Sequence, residues 1–100
     1  MNFPNRFSLL NYLQARRVTE GAGSYVYFKI HEKKETYLLL DEQQQELGTT
    51  TRDAFMLYIT TYDTTLFEEL ADGWQVWELS LDSLTTPRDS GGLATSFIRR

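Results

Sequence analysis

The 100-residue chain has no cysteine, a single histidine and only two prolines. Without cysteine there can be no disulfide, no thiolate metal site and no cysteine nucleophile. His31 stands in the run His31-Glu32-Lys33-Lys34-Glu35. A zinc hydrolase needs two histidines one helical turn apart with a glutamate between them. Here the second position is Glu35, and Lys33 and Lys34 would repel a cation, so no metal ligand and no cofactor are expected. A serine nucleophile would have to borrow the same His31 as its base, and no G-x-S-x-G turn presents any of the six serines. The one glycine-rich loop, Gly21-Ala22-Gly23-Ser24, follows a helical pattern and precedes a strand pattern. That is the wrong order for cradling a phosphate at a helix N-terminus. The adjacent carboxylates Asp41–Glu42 and Glu68–Glu69 point apart on either a helix or a strand, so neither pair is an acid/base dyad. No catalytic residue is assigned, and the chain reads as a non-enzyme.

Long apolar runs are missing as well. The longest, Tyr37–Leu40 and Ala54–Ile59, are far too short to span a bilayer. The first seventeen residues are a poor export signal, because Asn11 and Gln14 interrupt the apolar stretch and Arg16–Arg17 stand where a small-residue cleavage site belongs. A cytoplasmic location is expected.

Positive charge is scarce in the middle of the chain. From Glu35 to Asp82 there are eleven acidic residues and one basic residue, Arg52, for a net charge of −10 over 48 residues. The flanks are basic, +4 over residues 1–34 and +2 over 83–100, so the overall −4 hides a strong asymmetry. Such a field governs which partners approach rather than which fold forms. Phosphate would be repelled by the acidic body, which disfavours direct nucleic-acid binding even though Tyr25 and Tyr27 lie near Lys29, Lys33 and Lys34.

An apolar share of 41% with fourteen aromatic residues suits one core and a single domain over residues 1–100. Residues 4–17 read as a helix with Pro4 in its first turn, Phe3, Phe7, Leu10 and Leu13 along one stripe, and Gly21 at its end. Residues 25–30 alternate, with Val26, Phe28 and Ile30 inward and Tyr25, Tyr27 and Lys29 outward. A reversal at His31–Glu35 returns the chain into a second strand around Tyr37–Leu40, and Gln45–Thr49 reads as a short extra strand. Residues 54–62 fit two patterns. As a strand they place Phe55, Leu57 and Ile59 on one face; as a helix they align Phe55, Tyr58, Ile59, Tyr62 and Leu66. The β-branched cluster Ile59-Thr60-Thr61 favours the strand. Thr65-x-x-Glu68 has the spacing of a capping box and predicts a helix over 65–71 closed at Gly73. Residues 73–82 read as a strand with Trp77, Leu79 and Leu81 inward, and a last short helix is expected around 92–98. The expected fold class is α+β: a mostly antiparallel twisted sheet of about four to five strands carrying an N-terminal helix and one or two short helices.

With 54–62 as a strand, the outward faces collect Tyr25, Tyr27, Tyr37, Tyr58, Tyr62 and Trp74, residue types favoured at contact surfaces. A helix over 65–71 with the neighbouring strand ends would gather Asp63, Glu68, Glu69, Asp72, Glu78 and Asp82 beside them. The reading that follows is a non-catalytic protein-binding module of the inhibitor, immunity or adaptor kind. Its acids would steer it to a partner with a basic surface, and its aromatics would anchor it. Two alternatives use the same tyrosine face: the lining of a small-molecule pocket or small-cavity enzyme, or the interface of a self-associating homodimer.

Overall fold

The computed structural model describes residues 1–84. In chain order these form β1 (Asn2–Phe3), α1 (Arg6–Glu20), β2 (Tyr25–His31), β3 (Thr36–Leu40), β4 (Glu46–Thr51), α2 (Arg52–Thr61), β5 (Thr64–Glu69) and β6 (Trp74–Ser80). Short 3-10 turns follow β5 at Ala71–Gly73 and β6 at Leu81–Leu84. The strands make one sheet in the order β1-β4-β3-β2-β6-β5. Every neighbouring pair is antiparallel except β1 with β4, which is parallel. The α+β class is as expected, with six strands rather than four to five. The helix expected at 92–98 lies outside the described residues. No helix among the described residues is long and apolar enough to cross a membrane.

The first helix starts two residues later than its pattern suggested. Asn5 is the N-cap, its Oδ1 accepting from the Phe7 and Ser8 N–H groups at 3.0 Å each, so Pro4 stands before the cap rather than within the first turn. At the other end Gly21, with φ +92°, donates its N–H to the Arg17 carbonyl. That left-handed backbone suits glycine, which has no Cβ to clash.

Two neighbouring segments are exchanged relative to the sequence reading. Residues 52–61 are helix, not strand. Thr51 caps this helix by accepting from the Ala54 N–H at 3.2 Å, and Asp53 complements the helix dipole in the first turn. The β-branched cluster that argued for a strand is accommodated within the helix. Thr60 turns its hydroxyl back to the Met56 and Leu57 carbonyls at 3.3 and 3.0 Å, a bond open to threonine in a helix. Residues 64–69 are strand, not helix, and the Thr65/Glu68 spacing caps nothing. They form a hairpin with β6 across Asp72–Gly73. Both residues have positive φ (+63° and +84°), and Trp74 N–H bonds to the Ala71 carbonyl. Asp-Gly is the dipeptide this mirror-image turn favours.

Both helices lie on one face of the sheet. There Val26 and Phe28 of β2, Tyr37 and Leu39 of β3 and Leu79 of β6 meet Leu9 and Leu13 of α1 and Phe55 and Tyr58 of α2 in one buried cluster. Phe28 packs its ring 5.1 Å from Phe55 and 6.3 Å from Tyr58, centroid to centroid. Trp77 points to this side but sits at its margin, half-buried against Phe55. The outer strand β1 approaches β4 so closely that a Cβ on Gly48 would stand 2.7 Å from the Met1 carbonyl oxygen.

The helical assignment of residues 52–61 makes Phe55 and Leu57 unequal: Phe55 is 1% exposed and Leu57 42%. Phe55→Ala should cost about 3–5 kcal/mol, and Leu57→Ala no more than about 0.5 kcal/mol, in urea denaturation. Similar large losses at both positions would restore the strand, in which the two share a face.

Candidate functional site: the helix-free face of the sheet

The opposite face of the sheet carries a second, smaller apolar cluster to which neither helix contributes. Tyr27, Leu40 and Val76 are buried in it, and Tyr25, Leu38 and Leu70 pack against them half-buried. Five of these residues come from β2, β3 and β6, which are adjacent in the sheet, and Leu70 follows β5, so together they form one continuous strip. Across it runs an open trough of about 370 Å³ lined by Lys29, Leu38, Leu40, Gln44, Glu46, Glu68, Leu70 and Val76. The β5 edge adds Phe67, which is 53% exposed although its ring packs edge-on against Tyr27 at 5.0 Å. Alternation after Leu66, which opposes Trp77 on the helix side, puts Phe67 on this side, and the register shift between Leu66 and Glu68 brings Glu68, opposite Val76, to it as well.

Tyr27 is the centre of this face. Its hydroxyl donates to Glu78 Oε2 at 3.0 Å, joining β2 to β6 where the two residues are cross-strand partners. Burial, together with the hydrogen bond to Glu78 and the field of Glu78 and Glu42, pushes its phenol up to about 12. Trp74 lies at one end of the strip, half-buried, with Lys29 Nζ 5.3 Å above its ring and the His31 ring edge-on at 5.0 Å.

Only three of the six aromatic residues expected on an outward face share this surface: Tyr25, Tyr27 and Trp74. The other three are on the helix side. Tyr37 is 3% exposed in the main core, at a position where β3 has apolar residues on both faces. Burial raises its phenol, against the opposing field of Arg52. Tyr58 and Tyr62 went with α2 once residues 52–61 proved helical. Tyr58 is 2% exposed, donates its hydroxyl to the Arg6 carbonyl at 3.0 Å, and has its ionisation strongly suppressed by burial. Tyr62 packs half-buried against the same core.

The six acids are likewise spread rather than gathered. Asp72 precedes β6 and Asp82 follows it, so at about 3.4 Å per residue they stand more than about 20 Å apart along the strand. Asp82 is a structural tie. It accepts from Arg17 Nε at 3.1 Å and from the Gly23 N–H at 2.9 Å, holding the end of α1 and the Gly21–Ser24 loop to the end of β6. Asp63 sits at the same end, its N–H donating to Ser83 Oγ and its carbonyl accepting from the Ser80 N–H. Glu78 is on the helix-free face, bonded to Tyr27. Glu68 lines the trough, and Glu69 is exposed beside it on the edge strand. Among the described residues the ion pairs are Arg17–Asp82 and Arg52–Glu35 at 3.6 Å.

Several members of the surface were not singled out from the sequence. The uninterrupted run Tyr37-Leu38-Leu39-Leu40 is the signal for Leu38 and Leu40, since a strand apolar at every position has two faces to bury. Phe67 and Leu70 were hidden by the helical reading of their segment, against which Asp72-Gly73 was the available clue.

His31, at the end of β2, is held through both ring nitrogens. Lys33 N–H donates to its Nδ1 at 3.0 Å, so the neutral ring carries its proton on Nε2, which donates to the Asp72 carbonyl at 2.8 Å. The ring thereby ties the β2–β3 turn to the β5–β6 turn. Among the described residues no group of three or more His, Asp or Glu could hold a metal ion. No family model matches the sequence, and comparison with curated proteins and with solved structures returns no significant match.

His31→Ala, which removes both bonds at a partly exposed site, should lower stability by about 1 kcal/mol in urea denaturation; a change below about 0.3 kcal/mol would mean the two turns hold without it. The raised phenol of Tyr27 fixes a pH dependence. With a folded pKa of about 12 against 10.0, its contribution is complete below pH 10 and is lost as pH rises from 10 towards 12. In ultraviolet titration of the folded protein the late-ionising amplitude, to which Tyr37 and Tyr58 also contribute, should fall by one tyrosine in Tyr27→Phe. An unchanged late component in that variant would assign it elsewhere.

Proposed function

We propose that the chain is a non-catalytic protein-binding module whose helix-free sheet face engages a partner with a basic surface. One observation carries the reading: an apolar strip with an exposed aromatic, Phe67, is bordered among the described residues by Glu42, Glu46, Glu68 and Glu78, with Lys29 the cation that lines its trough. Exposed aromatic area supplies burial energy on contact, and carboxylates at its border speed the approach of a cationic surface. The shape of this face supports a protein rather than a small ligand, because its trough is wide-mouthed rather than enclosed. The cavity lined by tyrosines, Tyr58 and Tyr62 with Arg6, Phe7, Leu10, Leu57 and Thr61, measures about 150 Å³ and is small for a cofactor.

Carbodiimide cross-linking, which joins carboxylates to lysines, tests this in lysate of the native cell at low salt. The expected cross-links run from Glu46, Glu68 or Glu78 to lysines of another protein, and they fade as salt rises through the range where charges are screened beyond about 8 Å. Glu68→Lys combined with Glu69→Lys should slow association at least about tenfold at low salt, with the circular dichroism spectrum unchanged. Cross-links only to other copies of the chain, or only from acids away from this face, would replace the proposal.

A further inference from the structure

Resting on that reading, we infer that the partner binds by adding an extended segment to the free edge of β5, with two adjacent apolar residues beside Leu66 and Phe67 and two adjacent basic residues beside Glu68 and Glu69. The sheet has two edges. β1 is two residues long, too short to template anything. β5 is six residues long, exposed from Thr65 to Glu69, and among the described residues pairs only with β6. Sheet edges of this length are usually blunted with lysine or proline. β5 has neither; its guards are a bulge and two carboxylates, which repel another acidic edge but not a basic strand.

The hydrogen-bond pattern shows which of its backbone groups are available. Ser80 N–H donates to the Asp63 carbonyl at 3.1 Å, and Leu70 N–H to the Trp74 carbonyl at 2.8 Å. Antiparallel pairing alternates inward and outward along a strand. Counting from those two bonds, the backbone of Thr65 and Glu68 faces β6, and that of Leu66 and Glu69 faces away, with Phe67 the extra residue of the bulge. Leu66 is 44% exposed on the helix side and Phe67 53% exposed on the helix-free side. An added strand therefore finds an apolar neighbour on each face at one end, and a carboxylate on each face at the other. Read from its N-terminus, apolar-apolar-basic-basic satisfies all four in a strand that runs parallel to β5, as β1 does to β4, because neighbours on adjacent strands interact directly. A second copy of β5 is a poorer occupant. It would bring the four carboxylates of two Glu68–Glu69 pairs into one strand pair that contains no cation. Strand addition also explains why a binding face would be left without a helix: an added strand extends the strip from Tyr27 through Phe67 without displacing any element.

Residue-resolved amide exchange on the full chain tests this, with a capped eight-residue peptide carrying Val-Val-Arg-Arg at its centre as the probe. Exchange at Leu66 and Glu69 should slow at least tenfold on adding the peptide, and a peptide N-methylated at alternate backbone positions should bind at least tenfold more weakly. Shift changes at Tyr25, Leu38, Leu40 and Val76 with no slowing at Leu66 and Glu69 would overturn edge addition while leaving the acidic face as the binding surface. No association with the peptide at low salt would also overturn it, and the carbodiimide map would then decide the broader reading alone. The chain's own Phe97-Ile98-Arg99-Arg100 has the same order of residue types. If Leu66 and Glu69 are already slow in the free monomer, and Arg99→Ser with Arg100→Ser releases them, the edge belongs to this chain and the inference fails. Slowing that appears only with a dimeric mass would likewise overturn it.

Discussion

Phe28 lies midway along β2 with no exposed surface, its ring against Phe55 and Tyr58 of α2. That arrangement requires α2 to cross the same face of the sheet as α1, and the Tyr58 hydroxyl bond to the Arg6 carbonyl holds the two helices together there. With both helices on one side, the other is finished, among the described residues, by side chains alone. The residues that do so, Tyr27, Leu40 and Val76, are few and are flanked by half-buried Tyr25, Leu38 and Leu70. The helix-free surface is thus a consequence of how the core is built, and its aromatic and acidic decoration is what gives it a use.

Elements defined by strong alternation or a clear stop were legible in the sequence. β2, β3 and β6 were placed within a residue or two, as was the glycine end of the first helix. The exchange between residues 52–61 and 64–69 had two physical sources. Ile59-Thr60-Thr61 suggested a strand because β-branched side chains are stiff, yet a helical threonine can satisfy its own hydroxyl on the preceding turn, as Thr60 does. Thr65-x-x-Glu68 suggested a cap because the spacing is right, but a cap needs a free helix end behind it, and Asp72-Gly73 had already committed the segment to a hairpin.

That single exchange explains how much of the candidate surface was visible. Tyr25, Tyr27 and Trp74 were placed on the outward face by strands read correctly. Tyr37, Tyr58 and Tyr62 were placed there by treating 54–62 as another strand and β3 as apolar on one face only. The acids scattered for the same reason: a helix over 65–71 would have gathered them, whereas an extended β5–β6 hairpin spreads them along its length. Net charge by segment survives such an error, because it does not depend on secondary structure. The local geometry of charge does not.

The order of strands has a consequence for how the chain acquires its shape. β2 has β3 on one side and β6 on the other, and the β6 contact runs the whole length of the strand, from Tyr25 opposite Ser80 to His31 opposite Trp74. The first neighbour is available once residue 40 exists; the second requires residue 80. During synthesis the apolar stretch Tyr25–His31 must therefore pass through a stage with one side unpaired, and that stage closes only when the β5–β6 hairpin docks as a unit. Non-local pairing of this kind slows folding and leaves a sticky intermediate open to other chains. The Asp-Gly turn that forms the hairpin locally shortens the wait, since it lets two strands arrive already joined.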